Sequence, residues 1–230
     1  KFGGTSVANA ENINNVIAIV EKAVQRDKTI VVVSALGGTT DSLLQSGALA
    51  AAGDEKYKEL LQALEQRHLE AVKTLIPVTR QSSVLSWVKQ RCNEIEDICN
   101  GVFLLSELST RTKDRIVSYG ELLSSRIISD RLNASGVENA WVDSRELIRT
   151  DSHYGHAAVD FAQTNKLCAD YFSAAPQNLF IVPGFVARDS NGNATTLGRG
   201  GSDYTAAIIS GAVNAKLLEI WTDVSGMMTA

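Results

Sequence analysis

Residues 195–206 read TTLGRGGSDYTA, with three glycines, an arginine, a serine and an aspartate between an apparent strand end and a helix of small residues. That is the composition of a phosphate-handling turn. Gly198, Gly200 and Gly201 let the main chain approach a ligand closely, and the helix start that follows offers unpaired N–H groups and partial positive charge to an anion. Arg199 adds a planar fork that fits a carboxylate or phosphate. A second glycine turn, Lys1-Phe2-Gly3-Gly4-Thr5-Ser6, opens the chain. One isolated glycine cluster is most simply a tight turn. Two, flanked by Lys, Arg, Ser and Asp, point to anion chemistry. Neither follows the better-known nucleotide fingerprints: the lysine of the first precedes its glycines, and Asp203 stands where a dinucleotide turn has its third glycine.

The chain has 230 residues, 44% hydrophobic and 21% charged, which suits a soluble globular protein with one substantial core. A net charge of −4 supplies no basic surface, so no nucleic-acid partner is expected. No apolar run approaches the roughly 20 residues that span a bilayer, and the start carries no signal pattern, so no membrane association and a cytoplasmic location are expected. Cys92, Cys99 and Cys168 are odd in number and lack CxxC spacing, which argues for buried free thiols over a disulfide frame or zinc site. Cys92 and Cys99, seven apart, share a helical face with Val88, Ile95 and Val102. His153 and His156 are three apart, but no carboxylate or thiol cluster accompanies them, and no protein-bound metal is expected.

The elements that must position these turns alternate. Lys1-Phe2 reads as the end of a strand, so the chain is expected to be cut at its N-terminus. A helix is expected over about Asn9 to Arg26, with Ile13, Val16, Ile17, Val20 and Val24 on one face, then a continuous apolar strand at Thr29 to Ser34. Consecutive valines imply cover on both sides, as in a parallel sheet sandwiched by helices. Gly37, Gly38, Thr39 and Thr40 form a polar turn at the strand's carboxyl end, where open α/β sheets place ligands. From about 54 to 108 the pattern is wholly helical, broken at Pro77, and reads either as a subdomain or oligomer surface or as ordinary helical cover. Another helix, Lys113 to Leu132, carries Glu121 beside Leu122 and Leu123, where a semi-buried carboxylate needs a cationic partner. Strands are expected at Ala140 to Asp143, Leu179 to Ala187 and Leu217 to Asp223, with a helix at Ala157 to Phe172 between the first two. Asp189 to Asn193 reads as a hairpin turn leading to Thr195-Thr196-Leu197.

KFGGTSVANAENI, VVVSA with a downstream GTT, SYGEL, GFVA, TLGRGGSDYTA and WTDVSG occur in this order, and the chain resembles the aspartokinases of the amino-acid kinase superfamily over essentially its whole length. The most specific parts are KFGGTS and GRGGSD followed by WTDV. The resemblance implies a three-layer αβα sandwich with a mostly parallel central sheet and a helical insertion. It also implies transfer of the γ-phosphoryl group of ATP, with Mg2+ carried on the nucleotide, to the side-chain carboxylate of L-aspartate. That acceptor is already ionised at neutral pH, so the enzyme must supply positioning and positive potential rather than a general base.

By the same resemblance, Lys1 and Gly4 act on the migrating phosphoryl group, and Asp203 either holds the lysine or organises the metal and phosphate region. Arg199 and Glu121 take the α-carboxylate and the ammonium, with Ser34, Thr40, Phe185 and Ser202 as further substrate contacts. Lys1, Gly3, Gly4, Ser6, Thr222 and Asp223 face the nucleotide, with Trp221 packed beneath. The chain departs from the family pattern at Met227-Met228, where many relatives have an aromatic residue, and it ends at Ala230, where relatives continue through DPR and regulatory domains. Residues 1–230 thus read as a catalytic domain truncated at both ends. The run from Trp141 through Thr150 into SHYGHAAVDF is similar to bifunctional aspartokinase/homoserine dehydrogenases, and a homodimer is expected. The alternatives are a sister kinase acting on N-acetylglutamate, glutamate or a nucleoside monophosphate, and a catalytically incomplete amino-acid-binding fragment.

Overall fold

The computed structural model describes residues 1–222. Strand β1 (Thr29–Val33) pairs in parallel with β4 (Leu179–Pro183), and β4 with β2 (Ala140–Trp141), giving the order β1-β4-β2. On the outer edge Phe2 makes parallel bridges to Val33 and to Trp221, so the opening residues extend this sheet. Val31, Val33, Leu179 and Ile181 point into one apolar cluster, while their neighbours Val32, Phe180 and Val182 point into another. That two-residue alternation of buried side chains requires helices on both faces, and the α/β sandwich follows.

The first face is covered by α1 (Ala10–Val24), α2 (Thr39–Ala51), α3 (Tyr57–Leu75), α4 (Val78–Leu105) and α5 (Thr110–Ala134). Asn9 caps α1 by accepting from the Asn12 N–H at 2.9 Å, and Pro77 precedes the first residue of α4. The helices α3 and α4 pack against each other and on α2 and α5, burying Leu64, Val72, Val88 and Ile95. The second face is covered by α7 (Phe161–Ala174) and α8 (Gly201–Ala212), with the short α6 (Ser144–Leu147) nearby. A second sheet joins β3 (Arg149–Thr150) in parallel to β5 (Val186–Asp189), which runs antiparallel to β6 (Ala194–Thr196) through the hairpin at Asp189 to Asn193. No helix among the described residues is long and apolar enough to cross a membrane.

Four expectations are corrected. The single strand at Leu179 to Ala187 is two strands in different sheets. The break falls at Gly184-Phe185, where the Val186 N–H donates to the Gly184 carbonyl at 2.7 Å and Phe185 is held at φ 67°. The polar turn at Gly37 to Thr40 ends at Gly38, because Thr39 and Thr40 open α2, whose small residues mask its apolar stripe. The helix expected from Ala157 begins at Phe161, where Asp160 caps it by accepting from the Gln163 N–H at 3.0 Å. Of the strand at Leu217 to Asp223, residues 217–220 join no ladder and Trp221 alone bridges Phe2; Asp223 and Met227-Met228 lie outside the described residues.

Candidate active site

The carboxyl end of β1, the start of α2, the middle of α5, the β4–β5 break and the start of α8 converge on a cavity of about 250 Å³. It is lined by Lys1, Ser34, Thr40, Glu121, Phe185, Arg199, Ser202 and Asp203, together with the glycines of the 198–201 turn. All six residues expected at the substrate, drawn from five separate stretches of chain, border this one space. The first turns of both α2 and α8 face it, and their unpaired N–H groups favour an anion.

Local packing explains how each group arrives. Gly198 and Gly200 both have φ 74°, a left-handed conformation that costs glycine little and lets the chain reverse twice around Arg199. The Gly201 N–H closes that turn on the Gly198 carbonyl at 3.0 Å. A Cβ on Gly201 would lie 2.7 Å from the Phe185 ring, and one on Gly184 2.6 Å from Ser202 Cβ, so the β4–β5 break and the start of α8 sit in van der Waals contact. Phe185 pays for its positive φ through fixed partners: its N–H donates to Thr205 Oγ1 at 2.9 Å and its carbonyl accepts from the Leu197 N–H at 3.0 Å. On the other wall, a Cβ on Gly120 would lie 2.9 Å from Ala35 Cβ, so α5 crosses close over the end of β1 and brings Glu121 to the cavity. Ser124 Oγ reinforces that crossing by donating to the Ser34 carbonyl at 2.7 Å.

Three ionisable groups dominate. Glu121 is 4% exposed, and its Oε2 has no hydrogen-bond partner among the described residues. Burial pushes its carboxyl up to about 8, opposed by the Ala35 and Glu121 backbone N–H groups and by the charge of Lys1. Lys1 Nζ forms an ion pair with Asp203 Oδ1 at 2.7 Å, the lysine side chain being 7% exposed and the aspartate 49%. Arg199 is exposed at the cavity rim and has no ion-pair partner among the described residues.

Gly3, Gly4, Ser6 and Thr222 do not line this cavity. They gather beyond Lys1: the Gly3 N–H donates to the Trp221 carbonyl at 3.0 Å, Ser6 Oγ reaches the same carbonyl at 3.3 Å, and a Cβ on Gly3 would stand 3.6 Å from both Lys1 Nζ and Thr222 Oγ1. Lys1 therefore stands between the group expected at the substrate and the group expected at the nucleotide. A larger opening of about 820 Å³ runs along the outer edge of β1 to residues 212–221. Its lining mixes aliphatic and aromatic residues with scattered charges such as Arg26, Asp27 and Lys216, whereas the smaller cavity collects the residues expected at the substrate.

Sequence reasoning missed two supports. Arg67 on α3 donates to the Gly37 carbonyl and the Ala8 carbonyl, each at 2.7 Å, and so ties the two loops after Phe2 and β1 together. Asp114, 2% exposed on α5, accepts from Gly155 and Thr196. Its spacing of seven from Glu121, two turns along one helical face, was the available signal. The three cysteines are buried; burial pushes Cys92 up to about 12 and Cys99 and Cys168 to about 11, so they are unreactive core thiols.

With this fold and cavity, the chain matches the amino acid kinase family over residues 1–230, and it belongs to that family. Its relatives within the family include aspartokinases. It is 34% identical over 235 residues to the lysine-sensitive aspartokinase 3 of Escherichia coli, covering all of this chain and 49% of that protein. It is 35% identical over 245 residues to aspartokinase 1 of Arabidopsis thaliana, covering 40% of it. It is also 30% identical over 231 residues to a bifunctional aspartokinase/homoserine dehydrogenase of the same plant, covering 25%. The chain thus spans between a quarter and a half of these relatives' length. Two solved structures of E. coli aspartokinase III superpose with TM-scores of 0.86 at 31% identity over 98% of this chain. They cover 49% and 48% of the solved chains; one is a complex with lysine and aspartate, the other with aspartate and ADP.

Proposed function

We propose that this chain is the catalytic core of an aspartate kinase, which phosphorylates the side-chain carboxylate of L-aspartate with Mg-ATP to give 4-phospho-L-aspartate and ADP. The observation that carries the reading is that one cavity is lined by both a buried carboxylate lacking a hydrogen-bond partner at Oε2 and an arginine without an ion-pair partner, each among the described residues. A buried, unmatched glutamate calls for a cation, and an amino-acid ammonium supplies one; the Arg199 fork then takes the α-carboxylate. Held by both groups on its α-carbon, the substrate presents its side-chain carboxylate, at the other end, toward Lys1. Ser34, Thr40 and Ser202 add neutral hydrogen bonds, and Phe185 packs the carbon chain.

An aspartate oxygen forms a bond to the γ-phosphorus as the bond from phosphorus to the β,γ-bridging oxygen breaks, and that electron pair leaves with ADP. Lys1 neutralises charge on the migrating group, and Asp203 keeps the ammonium aimed, at 2.7 Å. The α8 N-terminus offers N–H groups to phosphate oxygens, with Thr222 toward the nucleoside. Magnesium arrives on the nucleotide and supplies further positive charge. The product would enter lysine, threonine and methionine synthesis, and the active assembly is read as a homodimer.

The test incubates the protein with Mg-ATP and aspartate, glutamate or N-acetylglutamate, trapping acyl phosphate with hydroxylamine, while calorimetry follows binding. Aspartyl hydroxamate alone supports the reading. Preference for N-acetylglutamate or glutamate would replace it with a sister kinase, and aspartate binding without product would leave an amino-acid-binding fragment.

A further inference from the structure

Asp114 lies well outside the cavity, yet its bonding is directed at one wall of it. Its Oδ2 accepts from the Gly155 N–H and the Thr196 N–H, both at 2.9 Å, and its Oδ1 accepts from Thr196 Oγ1 at 3.0 Å. A carboxylate 2% exposed is costly unless its lone pairs are filled, and here three donors fill them. Those donors come from two segments, the 151–158 loop and β6. The same segments are joined again by the Ala157 N–H, which donates to the Thr196 carbonyl at 2.9 Å. Both main-chain polar groups of Thr196 are thereby fixed, three residues ahead of Arg199. The 151–158 loop also reaches the turn directly, because a Cβ on Gly198 would lie 2.3 Å from His156 Nδ1; the imidazole ring rests against Gly198.

Asp114 and Glu121 share α5, seven residues and about 10 Å apart along its axis. One rigid helix therefore holds the buried carboxylate at one side of the cavity and, through a bonded chain, the arginine turn at the other. We propose that Asp114 is a positioning residue for recognition of the substrate's α-carboxylate: through Thr196 and the 151–158 loop it sets the placement of Arg199 relative to Glu121. This rests on the reading of Glu121 and Arg199 as the two ends of an amino-acid site.

The alternative is a carboxylate that only stabilises the fold, and the experiment separates the two. Aspartate Kd is measured by calorimetry for the unaltered protein, Asp114→Ala, Arg199→Lys and the double variant, with near-ultraviolet circular dichroism as the control for folding. Asp114→Asn joins the set, because its amide oxygen can accept both N–H groups while its NH2 donates to the Thr196 hydroxyl. If Asp114 acts through Arg199, Asp114→Ala weakens aspartate binding at least tenfold in the Arg199 protein. In the Arg199→Lys background, where the bidentate contact is already lost, the same change costs less than threefold. Asp114→Asn then stays within threefold of the unaltered protein. Equal losses in both backgrounds, or no loss, overturn the proposal. Should Asp114→Ala not fold, Thr196→Val, which removes only the hydroxyl bond, goes through the same cycle and is expected to lose two- to fivefold in the Arg199 background alone. Failure of the unaltered protein to bind aspartate is a separate result: it defeats the underlying reading, and this inference with it.

Discussion

At the scale of single residues, the proposed site turns on one buried carboxyl. Glu121 Oε2 has no hydrogen-bond partner among the described residues and burial raises the carboxyl to about 8, so under the proposed function an arriving ammonium must displace a proton before it is paired. Aspartate affinity is therefore expected to rise with pH between 6 and 8, by up to about tenfold per unit, and to level off above. Calorimetry in buffers of different ionisation enthalpy should register proton release on binding, and Glu121→Gln should abolish the pH slope while weakening binding. Lys1 is different, because it is already ion-paired with Asp203 and, under the proposed function, its charge is needed at the migrating group. Lys1→Ala is expected to lower kcat by about 10²- to 10³-fold with aspartate Kd changed less than threefold. Equal loss of binding and turnover would remove that role.

At the scale of elements, α5 is the member against which the rest of the site is registered. Its Gly120 meets Ala35 with no room for a methyl group, since a Cβ there would approach Ala35 Cβ to 2.9 Å. Gly120→Ala must push the helix off the end of β1 and is expected to cost about 1–3 kcal/mol in urea unfolding, with weakened aspartate binding. Gly184→Ala is the counterpart on the other wall. Its methyl would meet the Ser202 main chain at 2.8 Å, which cannot rotate away, so a loss at least as large is expected, together with a rise in aspartate KM. A half-buried glycine with open space at its Cβ position, such as Gly101, should tolerate alanine by the same measurement.

At the scale of the whole molecule, two buried groups give opposite dependences of stability on pH. His68 is fully buried and held down at about 4, below its unfolded value of 6.5, so it costs stability as pH falls from 6.5 to 4. Glu121 is held at about 8, above its unfolded 4.5, so it costs stability as pH rises from 4.5 to 8. Their slopes oppose between 4.5 and 6.5; above 6.5 Glu121 lowers stability as pH rises, while the Lys1 α-amino group, held down at about 6 by burial against 8.0 when unfolded, raises it. The Glu121 contribution is isolated by thermal unfolding beside Glu121→Gln: the Tm of the unaltered protein relative to the variant is expected to fall from pH 6.5 to 8, with saturating aspartate restoring much of the loss. A relative Tm that rises over that interval would contradict the burial of Glu121.

Much was legible in the chain itself, for reasons that are local. The two glycine turns announce themselves because left-handed backbone and close approach demand glycine, as at Gly198 and Gly200. The three-layer fold follows from the unbroken valines of β1, and α1, α3 and α4 from apolar residues at helical spacing. The six residues expected around the substrate could be named, and tertiary structure was needed to bring five distant segments to one cavity. The break between β4 and β5 was hidden because apolar residues continue across it, and only the contact with Ser202 and the bond from the Phe185 N–H to Thr205 select the turn. Asp114 and Arg67 were invisible for a related reason: each is an ordinary charged residue on a helix until folding presents it with backbone donors or carbonyls from distant loops. Sequence by itself determined which groups could bind an anion and a zwitterion, because that depends on side-chain type and backbone freedom. Tertiary structure alone decided which charges are paired and which are left waiting, because pairing depends on what burial places within about 3 Å.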